Sequence, residues 1–210
     1  MRLRIGVAIG TAALALSLLV TTGAARAQSI FGFTLGQDLR TGAQTHPEPT
    51  DVGKERTYAV ARWRLEAGNS ISVTAAHGTG KIVFIESDWG GDAAKAATDI
   101  QGLTFGSTTL ADIRTKFGSN GFGFKSNVVS VIDKDIVSFN CYPIAGDGDR
   151  VLVVVTELPV SSVPIVGGEP APKLGEGRLN AVIIASLAYL KEIWGEHTIS
   201  DRAVRPVTLN

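Results

Sequence analysis

A five-residue pattern that occurs twice constrains how this chain can fold. Glycine, a bulky apolar residue, threonine, a second bulky apolar residue and glycine stand at residues 32–36 and again 70 positions later (102 minus 32), at residues 102–106. Each copy precedes a segment with helical spacing and then several segments with strand-like alternation. The pattern therefore predicts an α+β fold of two tandem helix-plus-antiparallel-sheet modules, residues 28–100 and 101–158.

The remaining part of the chain is predicted to add one helix. Residues 159–177 hold four of the prolines and several glycines, which is typical of a loop. Residues 178–210 are predicted to form an extra C-terminal helix and tail, because apolar side chains recur at helical spacing up to Trp194. The apolar positions of that predicted helix are Leu179, Val182, Ile183, Leu187, Leu190 and Trp194.

Within the modules, periodicity predicts the individual elements. Asp38 or Gln37 is expected to cap a short first helix, and Thr108 or Thr109 a longer second one that Gly118 ends. An alanine-rich connector helix is expected over residues 92–100. The predicted strands cover residues 56–65, 70–76 and 81–89 in the first module and 127–132, 135–141 and 150–157 in the second.

The N-terminus has the order of a secretory signal peptide. Arg2 and Arg4 precede an apolar run over residues 5–20, and Ala25-Arg26-Ala27 supplies small residues at a cleavage site. The apolar run is shorter than the ~18 residues that span a bilayer. We expect residues 1–27 to be removed, leaving an exported chain, periplasmic or secreted, that has no transmembrane segment.

The charge argues against one class of partner, and the cysteine content limits covalent cross-links. Without Arg2, Arg4 and Arg26 the chain carries 17 basic residues (20 minus 3) against 20 acidic ones. A chain with no basic excess lacks the phosphate attraction on which nucleic-acid binding depends, so we expect no nucleic-acid partner. Cys141 is the only cysteine, which excludes an intrachain disulfide, and its strand-like neighbours predict a small buried side chain.

No familiar catalytic or metal-binding motif stands out. His46, His77 and His197 lack ligand spacing, no G-x-S-x-G elbow occurs, and the turn at residues 146–149 lacks the positions of a calcium loop. We therefore expect no catalytic residue, no cofactor and no metal.

Strand faces supply the candidate binding residues. Tyr58, Arg62 and Arg64 share one face of a predicted strand, and Glu86 and Asp88 share a face of another. If these two strands were neighbours, the charges would form cross-strand pairs worth ~0.2–1 kcal/mol each. Aromatic and arginine side chains are common anchors of protein interfaces. We predict partner binding at these five residues, with a hydrolase that uses Glu86 and Asp88 as an alternative.

The second copy carries a family resemblance. Its Leu-Thr-Phe-Gly-Ser-Thr-Thr-Leu opening and a helix closing at Phe117-Gly118 before antiparallel strands resemble the repeat of the β-lactamase-inhibitor-protein-like fold and of small outer-membrane assembly lipoproteins. The chain departs from them in Gly42 and Pro47 of the first copy and in the missing lipoprotein cysteine. The resemblance implies protein binding by an open sheet face.

These observations favour an exported, non-catalytic protein that presents a sheet face to a protein or envelope partner. A carrier of a small hydrophobic ligand is a second hypothesis. It rests on the apolar strand around Leu152, which we expect to be covered on both faces, and on the predicted helix over residues 178–194 as the roof of a cavity.

Overall fold

A computed structural model describes residues 29–125, 129–166 and 169–209. The predicted signal peptide, residues 1–27, lies outside the described residues. No helix within them is long and apolar enough to cross a membrane.

Three α-helices of the described residues begin at side-chain caps. Asp38 caps α1 (Leu39–Ala43), where its carboxylate accepts from the Thr41 backbone N–H at 3.1 Å. Thr109 and Asp112 form a capping box at the start of α2 (Leu110–Phe117), and Gly118 ends that helix in the left-handed region at φ 64°. Ser186 caps α3 (Leu187–Trp194) by accepting from the Tyr189 N–H at 3.1 Å.

Fourteen strands occur in the described residues. They are β1 (Ser29–Ile30), β2 (Phe33–Thr34), β3 (Asp51–Glu55), β4 (Tyr58–Arg64), β5 (Ser70–Ala76), β6 (Ile82–Asp88), β7 (Phe122–Phe124), β8 (Val129–Ile132), β9 (Asp135–Pro143), β10 (Arg150–Pro159), β11 (Ile165–Val166), β12 (Glu169–Pro170), β13 (Arg178–Ser186) and β14 (His197–Ser200).

Ten of these strands form one antiparallel sheet. The order across it is β14, β7, β9, β10, β13, β6, β5, β4 and β3, and β8 also pairs with β9. Strands of the first half, β3 to β6, occupy one side, and those of the second half occupy the other. The two halves meet where β6 pairs with β13. The α+β class with an antiparallel sheet is therefore confirmed.

Each face of the sheet is covered by its own apolar layer. We call the two copies of the five-residue pattern, residues 32–36 and 102–106, the openers. On one face, Phe33 and Phe105 of the openers and Ile113 of α2 pack over buried strand residues such as Trp63 and Leu152. On the other face, which we call the α3 face, Leu190 of α3 is fully buried against strand residues that include Phe84, Val153 and Ile183. Complete burial of a leucine side chain stabilises the fold by ~1.5–3 kcal/mol.

The structure corrects the predicted helix over residues 178–194. Residues 178–186 form β13, a central strand between β10 and β6, and only Leu187–Trp194 is helical. Residues 181–185 are buried and apolar at every position. Such a run matches the apolar spacing of a helix and that of a strand equally well. The β-branched Val182, Ile183 and Ile184 fit a strand covered on both faces.

Two further element predictions were wrong. The connector helix over residues 92–100 is reduced to one 3-10 turn, Ala93–Lys95. The prolines at positions 47 and 49 predict a loop over residues 46–54, but residues 51–55 form the edge strand β3 against β4. The predicted burial of β10 on both faces is confirmed, since Leu152, Val153 and Val154 are fully buried. The sheet runs without a break between the two halves, and their tandem organisation stays a prediction.

Candidate functional site

All five predicted binding residues lie on the α3 face of the sheet. The register aligns Arg62 of β4 with Ser72 of β5, and Ser72 with Glu86 of β6. Two residues further along each strand, Arg64, Ser70 and Asp88 are aligned in the same way. Because β5 lies between β4 and β6, the predicted direct cross-strand pairs between arginines and carboxylates do not form.

Arg62 pairs with the edge strand instead. Its Nη1 lies 2.9 Å from Asp51 and its Nη2 lies 3.3 Å from Glu55, both on β3. The hydrogen bond that Arg62 donates to the Asp51 carboxylate is the main reason that the pKa of Arg62 is raised. All three side chains are about half exposed or more, so these pairs contribute little to stability and hold the arginine in place at the sheet edge.

Glu86 lies at the centre of the sheet, between Ser72 of β5 and Ile183 of β13. Burial, and next the Asp88 carboxylate, raise the pKa of Glu86 to about 8, while the charge of Arg62 opposes the shift. Loss of water disfavours the charged form of a carboxyl group, as does a like charge nearby. The Glu86 carboxyl group is therefore largely protonated at neutral pH.

Two further carboxyl groups lie beside Glu86 on this face. Asp88 accepts a hydrogen bond from Ser70 Oγ at 2.9 Å, and burial nevertheless raises its pKa. Glu157 of β10 accepts from Asn180 Nδ2 at 2.7 Å, and burial, with Asp135 and Asp88 nearby, raises its pKa as well. None of the three carboxyl groups has a lysine or arginine within 4.0 Å in the described part of the chain.

We call this strip of polar side chains across five strands the polar band. Its members are Arg62, Arg64, Ser70, Ser72, Glu86, Asp88, Glu157 and Asn180. Sequence reasoning identified four of them. It missed Glu157, although this residue ends a predicted strand, because alternation along one strand does not reveal which strands become neighbours.

Tyr58, the fifth predicted binding residue, contacts α3. Its hydroxyl donates to the Glu192 carboxylate, and its ring meets Tyr189 edge-on at 4.8 Å between centroids. Burial and the bond to Glu192 raise the pKa of Tyr58 to about 12. The side chain therefore tethers α3 to the sheet, and a role in partner binding stays a prediction.

An apolar groove lies on the opposite face, between α1 and the hairpin of β4 and β5. It encloses about 400 Å³, and Leu39, Ala61 and Trp63 line it together with several other alanines and with the polar residues Arg40 and His77. The Trp63 Nε1–H donates to the Pro47 carbonyl at 2.8 Å, which fixes the indole as one wall. Alanines on the strands leave the space that larger side chains would fill.

Metal sites and glycosidase-like acid pairs each need a particular grouping of carboxyl groups. In the described residues, no group of three or more His, Cys, Asp or Glu side chains has the arrangement of a metal site. A glycosidase pair needs one protonated acid and one carboxylate that stays ionised. The charge of the Asp88 carboxylate is one cause of the raised Glu86 pKa, and the hydrolase alternative that uses these two residues stays a prediction.

Comparisons with known proteins add little. No family model matches the chain, and no curated protein matches it. A solved cysteine-rich secretory protein of Staphylococcus aureus is similar at TM-score 0.43 and 10% identity, over 84% of this chain and 50% of that one. An extracellular SCP-domain protein of Bacillus anthracis is similar at TM-score 0.39 and 12% identity, over 74% and 45%. The chain thus spans about half the length of either, and likeness of this degree carries no conclusion about function.

Proposed function

We propose that this chain is an exported, non-catalytic binding protein whose polar band binds a cationic segment of a protein or envelope partner. The observation that carries the proposal is the set of three carboxyl groups on one face, Glu86, Asp88 and Glu157, none of which has a lysine or arginine within 4.0 Å in the described residues. The N-terminal pattern of a signal peptide supports export.

The raised pKa values of these carboxyl groups predict how binding depends on pH. A lysine or arginine of the partner favours the ionised form of each carboxyl group that it approaches. At pH values below about 8, binding must therefore displace a proton from Glu86. Affinity is expected to rise as the pH increases toward and through 8, and binding below that pH is expected to release protons to the buffer.

Photo-crosslinking in the host envelope tests the proposal. Arg64 is exposed and has no ion pair in the described part of the chain, so a photo-reactive amino acid at this position reports on molecules that contact the band. We expect a discrete crosslinked product from position 64. The Glu86→Gln/Asp88→Asn double variant, with the same probe, should reduce its yield at least several-fold.

Matched controls separate the band from the rest of the surface. Glu48 and Glu66 are exposed carboxyl groups outside the polar band, so the Glu48→Gln/Glu66→Gln double variant removes the same number of carboxyl groups elsewhere. This variant should leave the yield unchanged. An equal loss of crosslinking in both double variants, or an undiminished product in the first, would show that the polar band is not the contact surface.

A carrier of a small hydrophobic ligand is the second candidate, favoured by the apolar groove beside Trp63. The groove lies on the face opposite α3, so the predicted roof over residues 178–194 is not part of it. Native mass spectrometry of the exported chain should then show a bound apolar molecule. Ala59→Leu, which fills the groove from a half-buried position, should remove it, while Ala94→Leu on the connector should not.

A further inference from the structure

Arg64 of β4 lies beyond the end of the edge strand. The strand β3 begins at Asp51, which is the register partner of Arg62, and it supplies both Asp51 and Glu55 to that arginine. No residue of β3 is therefore aligned with Arg64. The Arg64 side chain is exposed and has no carboxylate within 4.0 Å in the described part of the chain. Its positive charge faces solvent at one end of the polar band.

Charges of opposite sign lie two strands apart on the polar band. The register places Arg64, Ser70 and Asp88 in one row across β4, β5 and β6. Because neighbouring strands are ~4.8 Å apart, the backbone positions of Arg64 and Asp88 are separated by ~10 Å. The strand between them presents only Ser70 and Ser72 to the band, and the Ser70 hydroxyl donates to Asp88 at 2.9 Å. These short side chains let the backbone of a partner approach the sheet between the two charges.

The distance between the two charges favours one kind of partner segment. In an extended strand, side chains on the same face are ~6.7 Å or ~13 Å apart. In an α-helix, residues seven positions apart lie on the same face and ~10.5 Å apart. A helix with an acidic residue and a basic residue at that spacing can therefore pair with Arg64 and Asp88 together. A basic residue at both positions would place a second cation against Arg64, and like charges in contact disfavour a partner.

We propose that the polar band binds a helical segment of mixed charge, whose acidic residue faces Arg64 and whose basic residue, seven positions away, faces Asp88 and Glu86. Arg64 then determines specificity, because it rejects segments that carry only positive charge. The inference rests on the proposed function, since it specifies the structure and charge pattern of the cationic segment that the polar band binds.

Fluorescence anisotropy with three labelled, alanine-based helical peptides tests the inference. The first peptide carries a glutamate and, seven residues later, a lysine. The second has lysine at both positions, and the third separates glutamate and lysine by five residues, which places them on different faces of the helix. The assay is run at about pH 8.5, above the Glu86 pKa of about 8. We expect the first peptide to bind most tightly, by ~3–10-fold over the second, because one exposed attractive pair is exchanged for a repulsive one.

Reversal of the charge at position 64 should reverse this preference. Arg64→Glu is expected to bind the lysine-only peptide more tightly than the mixed peptide, and Arg64→Gln should bind the two about equally. Arg40→Glu is the matched control, because Arg40 is an exposed arginine on α1, a helix that packs on the opposite face of the sheet. This variant should keep the preference of the original chain. Circular dichroism of each variant checks that it is folded.

Several results would overturn the inference. They are equal binding of the mixed and lysine-only peptides by the original chain, an unchanged preference in Arg64→Glu, and no binding of any peptide at about 1 mM. In each case the proposed function still stands if Glu86→Gln/Asp88→Asn reduces crosslinking at position 64. If that double variant changes neither crosslinking nor peptide binding, the polar band is not the contact surface, and the proposed function fails together with the inference.

Discussion

Glu86 of β6 and Ile183 of β13 are register partners at the point where the two halves of the sheet meet. On either side of this pair, Asp88 aligns with Ala181 and Phe84 aligns with Ala185. Glu86 and Ile183 are 97 positions apart (183 minus 86). The same spacing separates Ile82 from Leu179, the residues that receive the two openers.

The glycines that end the two openers make the same kind of hydrogen bond. The Gly36 N–H donates to the Ile82 carbonyl at 2.8 Å, and the Gly106 N–H donates to the Leu179 carbonyl at 2.8 Å. In return, the Ile82 N–H donates to the Gln37 carbonyl and the Leu179 N–H donates to the Thr108 carbonyl, one and two residues after the respective glycine. Because Leu179 lies outside the predicted second module, residues 101–158, the tandem organisation stays a prediction.

The two opener glycines differ in what surrounds them, which gives a first prediction. Both have positive φ, 81° at Gly36 and 66° at Gly106, so alanine at either costs ~1–2 kcal/mol. A Cβ at Gly106 would also overlap the Trp89 ring, whereas one at Gly36 meets no atom within 4 Å. We expect Gly106→Ala to lower the unfolding free energy in urea by ~2 kcal/mol more than Gly36→Ala. Equal losses would contradict the Trp89 contact.

The sequence predicted the elements that have local signals. Thr109 and Gly118 mark the ends of α2, and alternation located β4, β5 and β6 within two residues. It failed at β13, because a run that is apolar at every position fits both a helix and a strand buried on two faces. Only the neighbouring strands β10 and β6 decide between these states.

The sequence predicted which residues of the candidate site share a strand face, but not which side chains contact each other. Alternation placed Arg62 and Arg64 together, and Glu86 and Asp88 together, correctly. The pairing of Arg62 with Asp51 was not predictable, because residues 51–55 carry no strand-like apolar alternation and pair with β4 only as an edge. Strand order is a long-range property that one sequence does not encode locally.

Glu86 should make stability depend on pH. Its folded pKa of about 8 lies above the ordinary value of 4.5, so the native state retains a proton that the unfolded state releases. The contribution of Glu86 to the unfolding free energy is therefore fully present below about pH 4.5 and is lost as the pH rises through 8. We expect Glu86→Gln to remove on the order of 2 kcal/mol of this decline between pH 5 and 9, as measured by urea unfolding at each pH. An identical decline in the variant and in the original chain would refute the assignment.

Tyr58 and Glu192 should be energetically coupled, because the phenol and the carboxylate form the bond that tethers α3 to β4. A double-mutant cycle with Tyr58→Phe and Glu192→Ala is expected to give a coupling of ~0.5–1.5 kcal/mol in unfolding free energy. Hydrogen exchange in α3 should accelerate in either single variant. Glu196→Ala, whose carboxylate pairs with Lys191 instead, should show no coupling to Tyr58→Phe.

The capping box of α2 should contribute measurably to stability. Thr109 Oγ1 accepts from the Asp112 N–H at 3.2 Å, and Asp112 accepts from the Thr109 N–H at 2.9 Å. The hydrogen bonds from Thr109 hold the pKa of Asp112 below its usual range, so its contribution is present above that range and is lost in acid. Thr109→Ala should cost ~1 kcal/mol, and Thr109→Ser should restore most of it. If Thr109→Ser lowered the unfolding free energy as much as Thr109→Ala, a capping role would be contradicted.

Cys141 should report on global opening of the sheet. Its side chain is fully buried in β9 beneath the α3 face, and burial raises the pKa of the thiol. Because the thiolate is the reactive form, the native thiol is expected to react with an aromatic disulfide reagent only through unfolding. The labelling rate should then rise with urea in parallel with the unfolded fraction and fall in any stabilised variant. Rapid stoichiometric labelling in native buffer would show instead that the sheet opens locally at β9, between the β7 and β8 pairings.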